Sequence, residues 1–282
     1  MKAGWASFVV GVAALMVVAA LNDKVWAAMR VVRRTNNLIV LCAGVDEYQD
    51  KRLPKLLFCA DDANKMVDVL RDVGAREKAC LALTNQEATN VEIRQGIDAI
   101  LEDAGPESTV VIMLAGNGFE TNDGEVWFCP SDFDLDNWEE TAISIGELRD
   151  RLIDDDARFT LLIVDACREL PPFETESQRR TLARATREIK PQSSFALLFS
   201  CQSLGLAYED QTLNGGVFTH FIAETLRERR SGGLRVSGLW RAASQKTRDW
   251  TKRGGFVKEQ IPTCDIEGVD FFIGYEPSPS DK

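Results

Sequence analysis

The stretch FTLLIVDACREL (residues 159–170) carries the decision about the fold. Six apolar or β-branched residues run without interruption and then give way at once to a carboxylate, a cysteine and an arginine. A run this short and this continuous reads as a strand buried on both faces, as in the middle of a parallel sheet. A second stretch, TVVIMLAGNGFE (109–120), has the same form: seven apolar-type residues, then Gly-Asn-Gly. In open parallel sheets ligands and catalytic groups gather at the carboxyl ends of strands. Both stretches place chemistry-bearing residues there, with Asn117 50 positions before Cys167.

Four further short apolar runs read as strands: LIVLCA (38–43), ACLAL (79–83), SFALLFS (194–200) and VDFFI (269–273). Amphipathic segments separate them. Thr89 with Glu92, and Ser144 with Glu147, fit capping boxes ahead of helices, and residues 61–73, 217–229 and 236–251 supply three more. The expectation is an α/β fold, a mostly parallel six-stranded sheet with helices on both faces. GEVWFCP (124–130) reads as a small hairpin arm. Residues 168–192 read as a long exposed connection, and 275–282 as a disordered tail.

The 282-residue chain has a formal charge of −11, and residues 1–37 hold five Lys/Arg against one Asp, so the remainder stands at −15. An acidic domain is a poor partner for nucleic acid. The seven cysteines are scattered and form no CxxC, which points away from a disulfide framework or zinc site and towards a reducing compartment. Residues 3–22 carry no charge, and Trp5 and Trp26 flank them at about 31 Å along a helix, close to a bilayer core. With Lys24, Arg30, Arg33 and Arg34 following, the expectation is a single-pass membrane anchor with the domain on the cytosolic or matrix side. A signal peptide and an organelle presequence are the competing readings. The division is thus 1–37 hydrophobic segment and basic flank, 38–274 globular domain, 275–282 tail.

The phrases ADDA, AGNG, FCPSD, DACRE, SCQSLGLAYED, GGVFT and QIPT follow one another between residues 38 and 274. In that order they resemble the caspase, metacaspase and paracaspase superfamily. AGNGFE, WFCPSD and LIVDACRE look most like paracaspases and their bacterial relatives. The resemblance implies a caspase-like three-layer sandwich, a nucleophile at Cys167, a histidine position at 117, an oxyanion-hole amide at Gly118, and an acidic pair, Asp62 and Asp165, that receives a basic side chain. Position 117 holds asparagine.

A thiol is only a few per cent thiolate at neutral pH, so the pair needs a base that takes the thiol proton and later protonates the leaving amine. Asparagine has no acceptor of useful basicity. The lone histidine, His220, falls in a helical segment and reads as structural. For Asp62 and Asp165 a second reading stays open: a helix cap and a bond to nearby backbone. Asp132, Asp134 and Asp136 alternate as calcium ligands do but lack the EF-hand glycine and terminal glutamate, and a solvated acidic loop fits better. GNGFET lacks the third glycine of a dinucleotide fingerprint. Arg179, Arg180, Arg184 and Arg187 read as an exposed charged helix or, by the resemblance, a processing region.

The reading is therefore a membrane-anchored pseudoprotease with a scaffolding or regulatory role, no cofactor and no metal. Its partner is a protein or a basic peptide segment, and its oligomeric state is left open, with 269–273 as a candidate dimer edge. The alternatives are an active endopeptidase cutting after Arg or Lys, and a structural subunit of a larger membrane complex.

Overall fold

The computed structural model describes residues 37–168, 193–228 and 233–274. Six strands form the main sheet: β1 (Asn37–Gly44), β2 (Cys80–Thr84), β3 (Ser108–Gly116), β7 (Phe159–Ala166), β8 (Ser194–Phe199) and β12 (Thr263–Glu267), in the order β12-β8-β7-β3-β1-β2. All pair in parallel except β12, which runs antiparallel to β8. The α/β architecture with a mostly parallel sheet is that expected. The anchor segment before residue 37, the arginines of the connection and the tail lie outside the described residues. Among the described residues no helix is long and apolar enough to cross a membrane.

The uninterrupted apolar runs follow from burial on both faces, divided by the two-residue period of a strand. Leu38, Val40 and Cys42, with Val111, Met113, Leu161 and Ile163, face one layer: α1 (Cys59–Asp72), α5 (Val217–Glu228) and α6 (Val236–Arg253). Ile39, Leu41, Ile112, Leu114, Leu162 and Val164 face the other. There lie α2 (Asn90–Glu102), the short α3 (Trp138–Thr141), α4 (Ile145–Ile153), and a small sheet of β4 (Gly118–Glu120), β5 (Val126–Phe128) and β6 (Ile143–Ser144). This parity aims Asp165, in step with Leu161 and Ile163, at the α1/α5 layer. Thr89 Oγ1 accepts from the Glu92 amide at 3.2 Å and Ser144 Oγ from the Glu147 amide at 3.0 Å, so both helix starts are capped where the sequence places them.

The sixth strand is a correction. Residues 269–273 do not join the main sheet, whose edge is β12, so the segment named as a candidate dimer edge is not an edge of that sheet. TCDIE sets Asp265 and Glu267 on either side of Ile266 and buries none of its residues fully, as suits an edge strand. Glu267 at its end pairs with Arg149, whose Nε donates at 2.8 Å. The apolar 269–273 run serves differently: Asp270 accepts from the Ser237 amide at 3.0 Å at the start of α6, Phe271 and Ile273 are buried against the α1/α5/α6 layer, and β13 (Phe272–Ile273) pairs with β11 (Leu234–Arg235).

Candidate active site

Strands β3 and β7 are in register to their last residues, Gly116 opposite Ala166. The chain leaves both at the same edge, so Asn117 and Cys167 emerge side by side. Gly118 begins the arm directly behind them, where a side chain has no room: a Cβ there would lie 2.8 Å from the Trp127 carbonyl and 3.2 Å from that of Cys167. Cys167 is partly exposed. Its thiol reaches the Ala207 carbonyl at 3.5 Å and receives the Ala207 amide at 3.4 Å.

Asn117 is held from two sides. Its backbone amide donates to the Tyr48 hydroxyl at 2.7 Å, and that hydroxyl donates to the Val45 carbonyl at 3.1 Å. Its side-chain amide donates to the Pro54 carbonyl at 2.8 Å. The loop carrying Tyr48 and Pro54 is tied down in turn: Asp50 accepts from the Arg52 and Leu135 amides, and the Arg52 guanidinium reaches Asp136 at 3.0 Å. Asp132 accepts from the Asn90 amide at the start of α2 and Asp134 from the Asp136 amide. The three alternating aspartates thus hold backbone and a guanidinium.

Behind the cysteine, Arg168 is almost fully enclosed. Its guanidinium faces Glu120 at 2.9 Å, an ion pair whose angles miss those of a hydrogen bond, and lies 4.4 Å over the Phe199 ring. The other Glu120 oxygen accepts from Ser203 at 2.6 Å, and the Arg168 amide donates to Gly205 at 3.0 Å. These contacts clamp the segment after Cys167 to the arm and to the 201–205 loop. Cys201, in that loop, is buried, and burial with the neighbouring Cys167 pushes its thiol up to about 12.

The two predicted carboxylates come together. Asp62 lies in the first turn of α1 with its side chain 2% exposed. Its oxygens accept from the Gly216 amide at 2.6 Å and the Lys65 ammonium at 2.8 Å. Asp165 accepts from the Thr219 amide at 3.1 Å and hydroxyl at 2.6 Å. Gly216 sits between them, since a Cβ there would lie 3.0 Å from an oxygen of each. Burial pushes Asp62 up to about 7, opposed by Lys65 and the Gly216 amide and reinforced by Asp165. Burial raises Asp165 as well, with Thr219 opposing.

Asp62 does not cap its helix. The free amides at the start of α1 go to residues that the sequence does not single out: Asp46 accepts from Cys59 at 2.7 Å and Ala60 at 3.2 Å, and Glu209 from Leu57 and Phe58. Two carboxylates at a helix N-terminus also match its dipole. Asp46, Cys59 and Glu209 lie within 4.8 Å of one another, close enough to suggest metal ligands, but the two carboxylates accept from the cap amides and the Cys59 thiol donates to Glu209 at 3.6 Å. His220 stands on α5 with its ring edge-on to Phe221 at 5.1 Å, and burial lowers its pKa. Its charged neighbours are Glu224, Lys65 and Arg227. All seven cysteines lie outside any disulfide.

A parallel sheet that presents a cysteine at the end of a central strand, beside a second strand end and a small antiparallel arm, defines a caspase-like α/β protein. The sequence matches the Caspase domain family, Peptidase_C14, over residues 38–270, and the chain belongs to that family. Its structure is similar to protein GSU0716 of Geobacter sulfurreducens, with a TM-score of 0.61 at 17% identity over 87% of this chain and 96% of that one. It is also similar to caspase-1 of Spodoptera frugiperda, with a TM-score of 0.63 at 14% identity over 87% and 93%. At these identities the likeness speaks for the fold. No curated protein matches the sequence.

Proposed function

We propose that this caspase-family chain is a paracaspase-like pseudoprotease, with asparagine in the place of the catalytic histidine and a scaffolding or regulatory role towards a basic protein segment. One observation carries the reading: the residue emerging beside Cys167 is Asn117, whose amide donates to Pro54 and offers no nitrogen that can take a proton. Losing a general base costs ~10²- to 10⁴-fold, and about a millionfold where the base also activates the nucleophile. Cys167, the Gly118 position and the pair Asp62 and Asp165 supply what remains for binding, with the carboxylates suited to a guanidinium or ammonium group. Residues 1–37 anchor the domain to a membrane in this reading.

The test is reversal. In an Asn117→His variant one ring nitrogen donates to the Pro54 carbonyl, which leaves the other free to accept the Cys167 proton. Wild type should turn over arginyl peptide amides no faster than Cys167→Ala. Asn117→His should gain turnover that a second change, Cys167→Ala, removes. The competing reading, an endopeptidase cutting after Arg or Lys, draws on the retained cysteine and acidic pair, and Cys167-dependent turnover by wild type decides for it.

A further inference from the structure

Lys65 follows Asp62 by one helical turn, and exposed pairs at that spacing contribute a few tenths of a kcal/mol. This pair is of another kind. The Asp62 side chain is 2% and that of Lys65 22% exposed, and the ammonium makes a second bond, to the Asn214 carbonyl, at 2.8 Å. Asn214 adopts a left-handed backbone, φ 50°, in the turn between β9 (Glu209–Asp210) and β10 (Gly215–Gly216). The turn closes over the ammonium so tightly that a Cβ on Gly215 would lie 2.8 Å from Lys65 Nζ and 2.6 Å from Asp62 Oδ1. With Gly216 on its other oxygen, Asp62 is engaged on both sides by the chain itself.

We propose that Lys65 is an intramolecular occupant of the acidic pocket, holding the carboxylate that an incoming arginine or lysine needs, so that a basic segment binds only by displacing it. The proposal rests on the reading of Asp62 and Asp165 as a cation pocket. An ammonium is a compact point charge that makes single hydrogen bonds, whereas a guanidinium grips a carboxylate with two parallel ones. An arginine therefore has the geometric means to win the exchange, and the Gln211–Asn214 turn must open for it. The pocket is selective because an occupant has to be outcompeted.

Agmatine, an amine with a guanidinium head, is the probe, titrated calorimetrically into the full chain at fixed ionic strength. Lys65→Met and Lys65→Ala should each bind it at least ~10-fold more tightly than wild type, and adding Asp62→Asn should abolish the gain. Folded variants with equal or weaker affinity, in a protein whose wild-type binding is weakened by Asp62→Asn, overturn the proposal and leave the pocket reading standing. A gain that survives Asp62→Asn places the probe elsewhere and overturns both. Should neither variant fold, wild type with isotopically labelled, reductively methylated lysines gives the answer. The Lys65 methyl resonance should move on adding agmatine, and one that stays in place up to the highest concentration counts against displacement.

Discussion

Gly116 of β3 lies opposite Ala166 of β7 in the parallel ladder, so the next residue of each strand, Asn117 and Cys167, leaves the sheet at the same edge. Fifty residues of chain separate the two, and the pairing depends on every hydrogen bond below it. A slip of one residue would carry Asp165 to the opposite face of the sheet, away from Asp62.

The clamp behind Cys167 is a buried ion pair, Glu120 and Arg168, with side chains 7% and 12% exposed. Removing one partner strands the other charge, so Glu120→Ala should destabilise the fold by about 3–5 kcal/mol. The double change Glu120→Leu with Arg168→Met should cost clearly less. Urea unfolding of the single and double variants checks this, and equal costs would remove the clamp from the account.

Stability should fall as pH rises through neutrality, and Asp62 should be a large part of the cause. Its folded pKa of about 7 stands above its ordinary value, so its contribution is complete below about pH 4 and is lost as pH rises through about 7. Over that window the folded state holds a proton that the unfolded chain has released, which corresponds to a slope approaching ~1.4 kcal/mol per pH unit. The raised Asp165 and Glu209 act in the same direction. His220, lowered by burial, acts in the opposite one near its unfolded pKa. Unfolding free energies of wild type and Asp62→Asn between pH 4.5 and 8 isolate the term: the variant should show the flatter profile, and parallel profiles would refute the assignment.

Thr219 gives Asp165 two of its hydrogen bonds, one from the hydroxyl at 2.6 Å. Thr219→Val keeps the shape and removes that donor from a buried carboxylate, which should cost about 1–3 kcal/mol. Thr219→Ser should recover most of it. Chemical denaturation of the three proteins is the measurement, and a valine variant as stable as wild type would show that the bond contributes nothing net.

Membrane attachment is tested by fractionation. Carbonate-washed membranes should retain the full-length chain, and deletion of residues 1–34 should release it to the supernatant. Intact full-length protein in the carbonate supernatant would end the anchor proposal.

The strands that build the centre of the sheet are legible in the sequence because burial on both faces leaves runs such as VVIMLA and TLLIV with no polar interruption. The residues closing β3 and β7 are legible for the same reason: an asparagine between glycines, and a cysteine after an aspartate, stand out where such runs stop. Both helix caps could be read because each is completed within four residues. What the sequence did not disclose is long-range. β12 hides its strand character behind Asp265 and Glu267 because an edge has only one strand to pair with, while the more apolar 269–273 segment packs as a cover over the helices. The Pro54 carbonyl beside Asn117, the Glu120 carboxylate beside Arg168, and the Asn214 carbonyl over Lys65 are set by how distant loops pack at the sheet's carboxyl edge. A main-chain oxygen or a glycine at such a place leaves no chemical mark in the sequence. Local pattern therefore determined which residues reach the edge, and only the tertiary structure decided which groups meet them there, because those contacts join segments 48 to 149 residues apart through the register of the sheet.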